Sequence, residues 1–148
     1  MGKRLYAYSI KTTRVQEKDF PYNGQKITCT SELIDFAKSL QDADIEKFLT
    51  LYLDSQNHII CIHIMNGTVN QTVVYPREVV RHALIVGACA IILMHNHPSG
   101  IVQPSPEDIR ITRLITDVSK HLGIKVHDHV IIGGQQFYSF LEEGTLPQ

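Results

Sequence analysis

The sequence predicts an α/β fold in three layers, α/β/α, with a mixed β-sheet between helices. Three observations carry this. The chain has 148 residues, 43% of them hydrophobic, which suits one sizeable core and leaves no room for a second domain of ordinary size. Segments alternating in period two interleave with segments of helical period. One run, Cys89 to Met94, is continuously apolar, as in a strand buried on both faces, and a strong helix start lies beyond it.

In chain order, residues 1–29 read as a weakly specified N-terminal strand or arm, and residues 30–148 as the domain proper. Lys3 to Val15 carries aromatic and β-branched alternation, and a turn-rich stretch, Phe20 to Gly24, follows. Thr30 or Ser31 caps a helix whose Leu33, Ile34, Phe36, Ala37 and Leu40 share a face. Glu46 to Asp54 alternates as a strand, Ser55 to Asn57 turns the chain, and His58 to Ile64 returns as the second arm of a hairpin. A short strand ending near Tyr75 comes next, and Pro76 then opens a helix bearing Val79, Val80, Ala83 and Leu84. After the apolar strand and a loop from His95 to Pro104, Ser105-Pro106-Glu107-Asp108 is the clearest helix start in the chain. It offers an N-cap hydroxyl, proline at the first helical position and acidic residues in the first turn. That helix runs to Leu122 with Gly123 as its stop. Ile124 to Ile132 is a strand, Gly133-Gly134 a hairpin turn, and Gln136 to Phe140 the returning strand.

Composition narrows the functional classes. Fourteen basic residues against fifteen acidic give a net charge of -1, so no bulk field draws the chain to nucleic acid or anionic lipid. No apolar run is long enough to span a membrane, and the start of the chain matches neither a signal peptide nor a myristoylation site. Cys29, Cys61 and Cys89 are odd in number and widely spaced, which suits reduced thiols and a cytoplasmic setting.

The chemistry concentrates in residues 95–108. His95 and His97 stand two apart, and in extended backbone such residues point the same way, so both imidazoles can meet one ion. Asp108, in the first turn of the next helix, can turn back toward them. Two nitrogens and one carboxylate oxygen, with a fourth position open, make the ligand set of a catalytic zinc site. The plain alternative is a pair of polar loop histidines and an aspartate that merely favours its helix terminus. The placement of the carboxylate by a capping box, beside Pro98-Ser99-Gly100 and after a buried strand, favours the metal.

The spacing His95-x-His97, seven residues, Ser105, two residues, Asp108 resembles the metal motif of the JAMM metalloprotease superfamily, whose domains are also called JAB or MPN. Within it, His95-Asn96-His97-Pro98-Ser99-Gly100 resembles the signature of the RadC family, bacterial proteins traditionally labelled as DNA repair proteins. The likeness runs from about residue 30 to Leu146. It takes in Glu46 to Asp54, the helix start at Tyr75 to Val79, Asp128-His129 and the closing Phe137 to Phe140 strand. The resemblance implies a JAMM and cytidine-deaminase-like architecture, zinc as cofactor, and hydrolysis of peptide or isopeptide bonds in a peptide or protein substrate. It also implies that Glu46 is the general base and that Ser105 hydrogen-bonds the oxyanion. Read without it, Glu46 is an ordinary strand-end carboxylate, and Glu78 competes with it from a helix's first turn.

Other readings are weaker. His127 and His129 form a second His-x-His, expected to share a face of one strand, but no third ligand stands at a recognisable spacing, so structural or supporting roles are expected. His58, His63, His82 and His121 each stand alone in the sequence. A nucleic-acid role, which the family label implies, finds no basic run and no helix-turn-helix; Arg77, Arg81, Arg110 and Arg113 could form only a small patch. Longer RadC-like proteins carry an N-terminal helix-hairpin-helix region, and fewer than 30 residues precede the matching part here, which again weakens that role. A metal-free scaffold has no need of all four matching polar positions. Zinc deaminases need His-x-Glu and Pro-Cys-x-x-Cys, which this chain lacks. The letters His-Asn-His do not make an HNH nuclease, whose residues are dispersed over a ββα unit. No partner surface or oligomeric state can be read from the residues.

Overall fold

The computed structural model describes residues 25–41, 43–67 and 74–148. The elements are α1 (Thr30–Gln41), β1 (Lys47–Leu53), β2 (Ile59–Asn66), α2 (Pro76–Val86), β3 (Ala90–Asn96), α3 (Pro106–His121), β4 (Lys125–Gly133) and β5 (Gln136–Ser139). The expected arm before residue 25 and most of the expected strand before Tyr75 lie outside the described residues.

Among the described residues the strands form one mixed sheet in the order β2-β1-β3-β4-β5. β3 is antiparallel to β1 and parallel to β4, with α3 as the crossover between the parallel pair. The α/β/α expectation therefore holds, and its physical basis is the two apolar faces of the sheet. On one, Leu33, Phe36, Ala37 and Leu40 of α1 pack on Leu49, Leu51, Leu53, Ile92, Met94, Val130 and Ile132. On the other, Val79 and Ala83 of α2 and Ile111 and Ile115 of α3 pack on Phe48, Tyr52, Ile91 and Leu93. Every residue of β3 is buried, as expected for a strand covered on both faces.

Four local readings need correction. β3 does not stop at Met94: His95 and Asn96 continue it, because Phe48 still pairs with His95 on one side and Ile131 and Ile132 pair with His95 and Asn96 on the other. His127 and His129 do not act as a pair. A register shift falls between Ile91–Val126 and Ile92–Asp128, so period two fails at His127; His127 Nε2 meets Asn57 Oδ1 at 2.9 Å while His129 turns inward to His95. Nor do His63 and His82 stand alone, since their rings stack with centroids 3.9 Å apart, and His58 pairs with Asp54 at 3.2 Å.

The β4–β5 turn is Gly134-Gln135, with Gly133 still in the strand and paired to Gln136. Gly133 is required for a different reason than turning. A Cβ there would lie 2.6 Å from the carbonyl oxygen of Gly100 and 3.0 Å from Val102 Cγ1, so the loop after β3 sits directly on this position. Gly134 has φ +58° with open space around it. Gly133→Ala is expected to cost about 1–3 kcal/mol through overpacking, and Gly134→Ala about 1–2 kcal/mol through its left-handed backbone. Both are measured by urea denaturation, and only Gly133→Ala should move the Gly100 and Ile101 amide resonances strongly.

Candidate metal centre

The site forms where β3 ends and α3 begins. His95 is held within the strand, 1% exposed, with its ring stacked on Phe48 at 5.8 Å. Beyond it, His97 N–H donates to Ile132 O at 2.7 Å, which keeps the chain against β4 for one more residue. The His97 ring is oriented by its own loop, with Nδ1 2.7 Å from Ile101 O; a carbonyl only accepts, so Nδ1 carries the proton and Nε2 is turned to the site.

Asp108 arrives from the other direction by way of the helix cap. Ser105 Oγ accepts the Asp108 N–H at 3.1 Å, and Asp108 Oδ2 accepts the Ser105 N–H at 2.7 Å, a reciprocal capping box with Pro106 in the first turn. Asp108 Oδ1 then lies 3.1 Å from His95 Nε2, and Oδ2 3.3 Å from His97 Nε2. The two Nε2 atoms are 2.9 Å apart. The structure thus brings together His95, His97 and Asp108, with one donor atom of each within 4.8 Å of the others, the one group among the described residues that could hold a metal ion in this way.

The donor chemistry suits a cation. Two imidazole nitrogens and a carboxylate oxygen converge with their lone pairs inward, and their mutual repulsion is relieved by a shared positive charge. Protons respond to the same field. The His97 pKa is raised, chiefly by its hydrogen bond to Asp108 against the opposing effect of burial, with the Ile101 carbonyl and the charges of Asp108 and Glu46 adding to it. Burial alone would push the Asp108 carboxyl up, but the close His95 and His97 rings, which favour the carboxylate whenever they take up a second proton, and the Ser105 hydroxyl outweigh it and hold the group well below the usual carboxylate range.

Glu46 stands immediately before β1, half-buried, and its carbonyl accepts the Gly67 N–H at 2.9 Å, so it is still held in the β1–β2 ladder. The β1–β3 register pairs Phe48 with His95. Continued by two residues, it sets Glu46 across from His97 on the face that carries His95. Ser105 Oγ donates to Asp108 Oδ2 at 2.7 Å, so its hydroxyl proton is engaged within the capping box. Glu78 is tied to Arg81 at 2.6 Å on α2. Of the four arginines that could form a patch, Arg77, Arg81 and Arg110 each meet a glutamate on their own helix.

Sequence reasoning gave Asn96 no role and assigned His129 none beyond a general supporting one. Asn96, 2% exposed, points to the opposite side from the histidines that flank it. Its Oδ1 accepts the Lys47 N–H at 2.7 Å, and its Nδ2 donates to Ile45 O at 3.1 Å and to Ala43 O at 3.4 Å. One amide thereby grips the main chain on both sides of Glu46. The available signal was an amide side chain between two histidines, but its use depends on which strand lies beside it. Asp128 is a different case: buried, with its pKa raised first by that burial, it accepts from Ser139 Oγ at 2.6 Å and from the Leu141 N–H at 2.9 Å, and so braces the C-terminal turn.

The description RadC-like JAB domain matches residues 27–145 of the chain. A UPF0758 protein of Trichlorobacter lovleyi is 40% identical over 148 residues, covering 99% of this chain and 60% of its own length. The UPF0758 protein YkfG of Escherichia coli K12 is 49% identical over 102 residues, 68% of this chain and 65% of that protein. One from Geotalea uraniireducens is 44% identical over 124 residues, 82% of this chain and 54% of its own length. The chain therefore spans less than two thirds of the length of these relatives. None of its described helices is long and apolar enough to cross a membrane.

Loss of the Asn96 amide removes its hydrogen bonds to the part-buried Lys47 N–H and Ile45 C=O, each worth about 0.5–1.5 kcal/mol. Asn96→Ala is expected to lower the urea midpoint and to speed hydrogen exchange at the Lys47 amide far more than at Leu51. Equal exchange at both amides would mean that the side chain does not grip this segment.

Proposed function

We propose that this chain, which belongs to the RadC-like JAB domain family, is a zinc-dependent hydrolase of peptide or isopeptide bonds. The observation that carries the reading is the convergence of His95 Nε2, His97 Nε2 and an Asp108 oxygen within 4.8 Å of one another, beside Glu46. Three protein ligands leave one position of a tetrahedral ion open, the arrangement of catalytic rather than structural zinc. Zinc held there supplies Lewis acidity, making water nucleophilic near neutral pH and polarising a carbonyl.

The protein's own groups have the remaining work. His95, His97 and Asp108 would hold the ion, and Asp108 Oδ1 is the carboxylate oxygen that the capping box does not use. Glu46 takes a proton from the attacking water and returns it to the leaving amine. Ser105 is the oxyanion donor, and its hydroxyl takes up that role by leaving Asp108 Oδ2 while Asp108 N–H still bonds to Oγ. The substrate class follows from this chemistry and from the family resemblance together.

Elemental analysis after dialysis against zinc and then metal-free buffer tests the metal. About one zinc per chain is expected, and none in the His95→Ala/His97→Ala variant; a folded wild-type protein that keeps no zinc overturns the proposal. Glu46→Gln is expected to keep its zinc while hydrolysis of a peptide or isopeptide library falls at least about 100-fold. Unchanged turnover removes Glu46 as the base.

A further inference from the structure

We propose that Thr112 and His129 form a relay that sets the tautomer of His95 and so turns the bare Nε2 of that ring toward the metal. The inference rests on the metal reading above and adds two positioning residues to it. Neither touches the ligand atoms that would hold the ion.

The relay begins at a group with no choice. The carbonyl oxygen of Asp108 only accepts, and Thr112 Oγ1 lies 2.5 Å from it, one helical turn away, so the hydroxyl proton points there. The lone pairs of Oγ1 are left to face His129 Nδ1 at 2.6 Å, and that nitrogen therefore carries a hydrogen. His129 is fully buried, with its ring stacked on Phe140 at 5.0 Å and edge-on to Phe48 at 5.6 Å. Its ring nitrogens face Thr112 and His95, neither of them anionic, so the imidazole is neutral and its Nε2 is bare. His95 Nδ1 lies 2.8 Å from that Nε2 and must donate to it. The proton on His95 is thus fixed at Nδ1, and its Nε2 lone pair faces Asp108 Oδ1 at 3.1 Å.

The chain of bonds starts and finishes on one residue. The main-chain carbonyl of Asp108 dictates the tautomers, and the carboxylate of Asp108 meets their product. A hydrogen-bond partner behind a metal-binding histidine commonly fixes its ring and tautomer in this way. Here the partner is a second histidine, which is itself indeterminate until the threonine sets it. A purely structural pair would satisfy the same buried groups without affecting the ion, so the distinction can be measured.

The test uses wild type, Thr112→Val, Thr112→Ser and His129→Phe, with zinc affinity read by competition against a chromophoric chelator. Long-range proton–nitrogen NMR of the imidazoles in the metal-free proteins reads the tautomers. Wild type is expected to show hydrogen on Nδ1 of both His95 and His129. Thr112→Val and His129→Phe are expected to weaken zinc binding about 10- to 100-fold, and Thr112→Ser to restore it. A folded Thr112→Val or His129→Phe protein with wild-type zinc affinity overturns the relay. So does wild-type His95 with its hydrogen on Nε2, a result that needs no variant to fold. If wild type takes up no zinc at all, the metal reading fails, while the imidazole spectra still decide the relay.

Discussion

Everything at the site depends on β3 being hydrogen-bonded along both edges. An antiparallel neighbour on one side and a parallel one on the other fix its register twice over, through Phe48–His95 and Leu93–His129. Alternation along that strand turns His95 to the face covered by α2 and α3, and Asn96 to the other. A slip of one residue would exchange them, taking His95 away from His97 and Asp108 and placing an imidazole against the segment before β1. The apolar residues Ile91 to Met94 resist such a slip because each is buried on its own face of the sheet. Core packing and site geometry are thus one constraint.

Asp108 joins two kinds of order. One carboxylate oxygen completes the cap of α3 and the other faces His95. Helix capping and ligand placement usually call on different side chains, and combining them leaves this carboxylate little freedom to turn. The close seat of Gly100 on Gly133 acts in the same sense, because it presses the intervening loop onto β4 and limits how far His97 can move. A cluster held in this way would meet an ion with much of the entropic cost of gathering its groups already met.

Much of this was legible in the residues. The helix start at Ser105, the His-x-His spacing and the fully apolar strand are local signals, and each maps directly onto a structural element. The resemblance alone singled out Glu46, because a carboxylate at the end of a strand has no local signature, and the register that sets it across from His97 joins residues 51 positions apart. The extent of β3 was misjudged because histidine and asparagine read as polar loop residues, although pairing on both sides keeps them in the ladder. The separate fates of His127 and His129 follow from a register shift, which a period-two pattern cannot reveal. Asn96 and Thr112 escaped notice for a related reason: Asn96 holds main-chain groups and Thr112 is oriented by one, and main-chain groups leave no mark on the amino-acid alphabet.

His95, His97 and Asp108 come from a single stretch of 14 residues, 95–108, whereas Glu46 precedes the neighbouring strand β1. Closing so short a loop costs little chain entropy, and the helix cap shortens it further in effect. Bringing Glu46 alongside requires the long-range pairing of β1 with β3, which is slower to form. The two halves of the site therefore differ in kinetic character. Under the proposed function, the groups that would hold an ion gather within one short segment, whereas the proton acceptor is delivered only when the sheet closes, so the capacity to bind and the capacity to turn over would arise at different moments of folding.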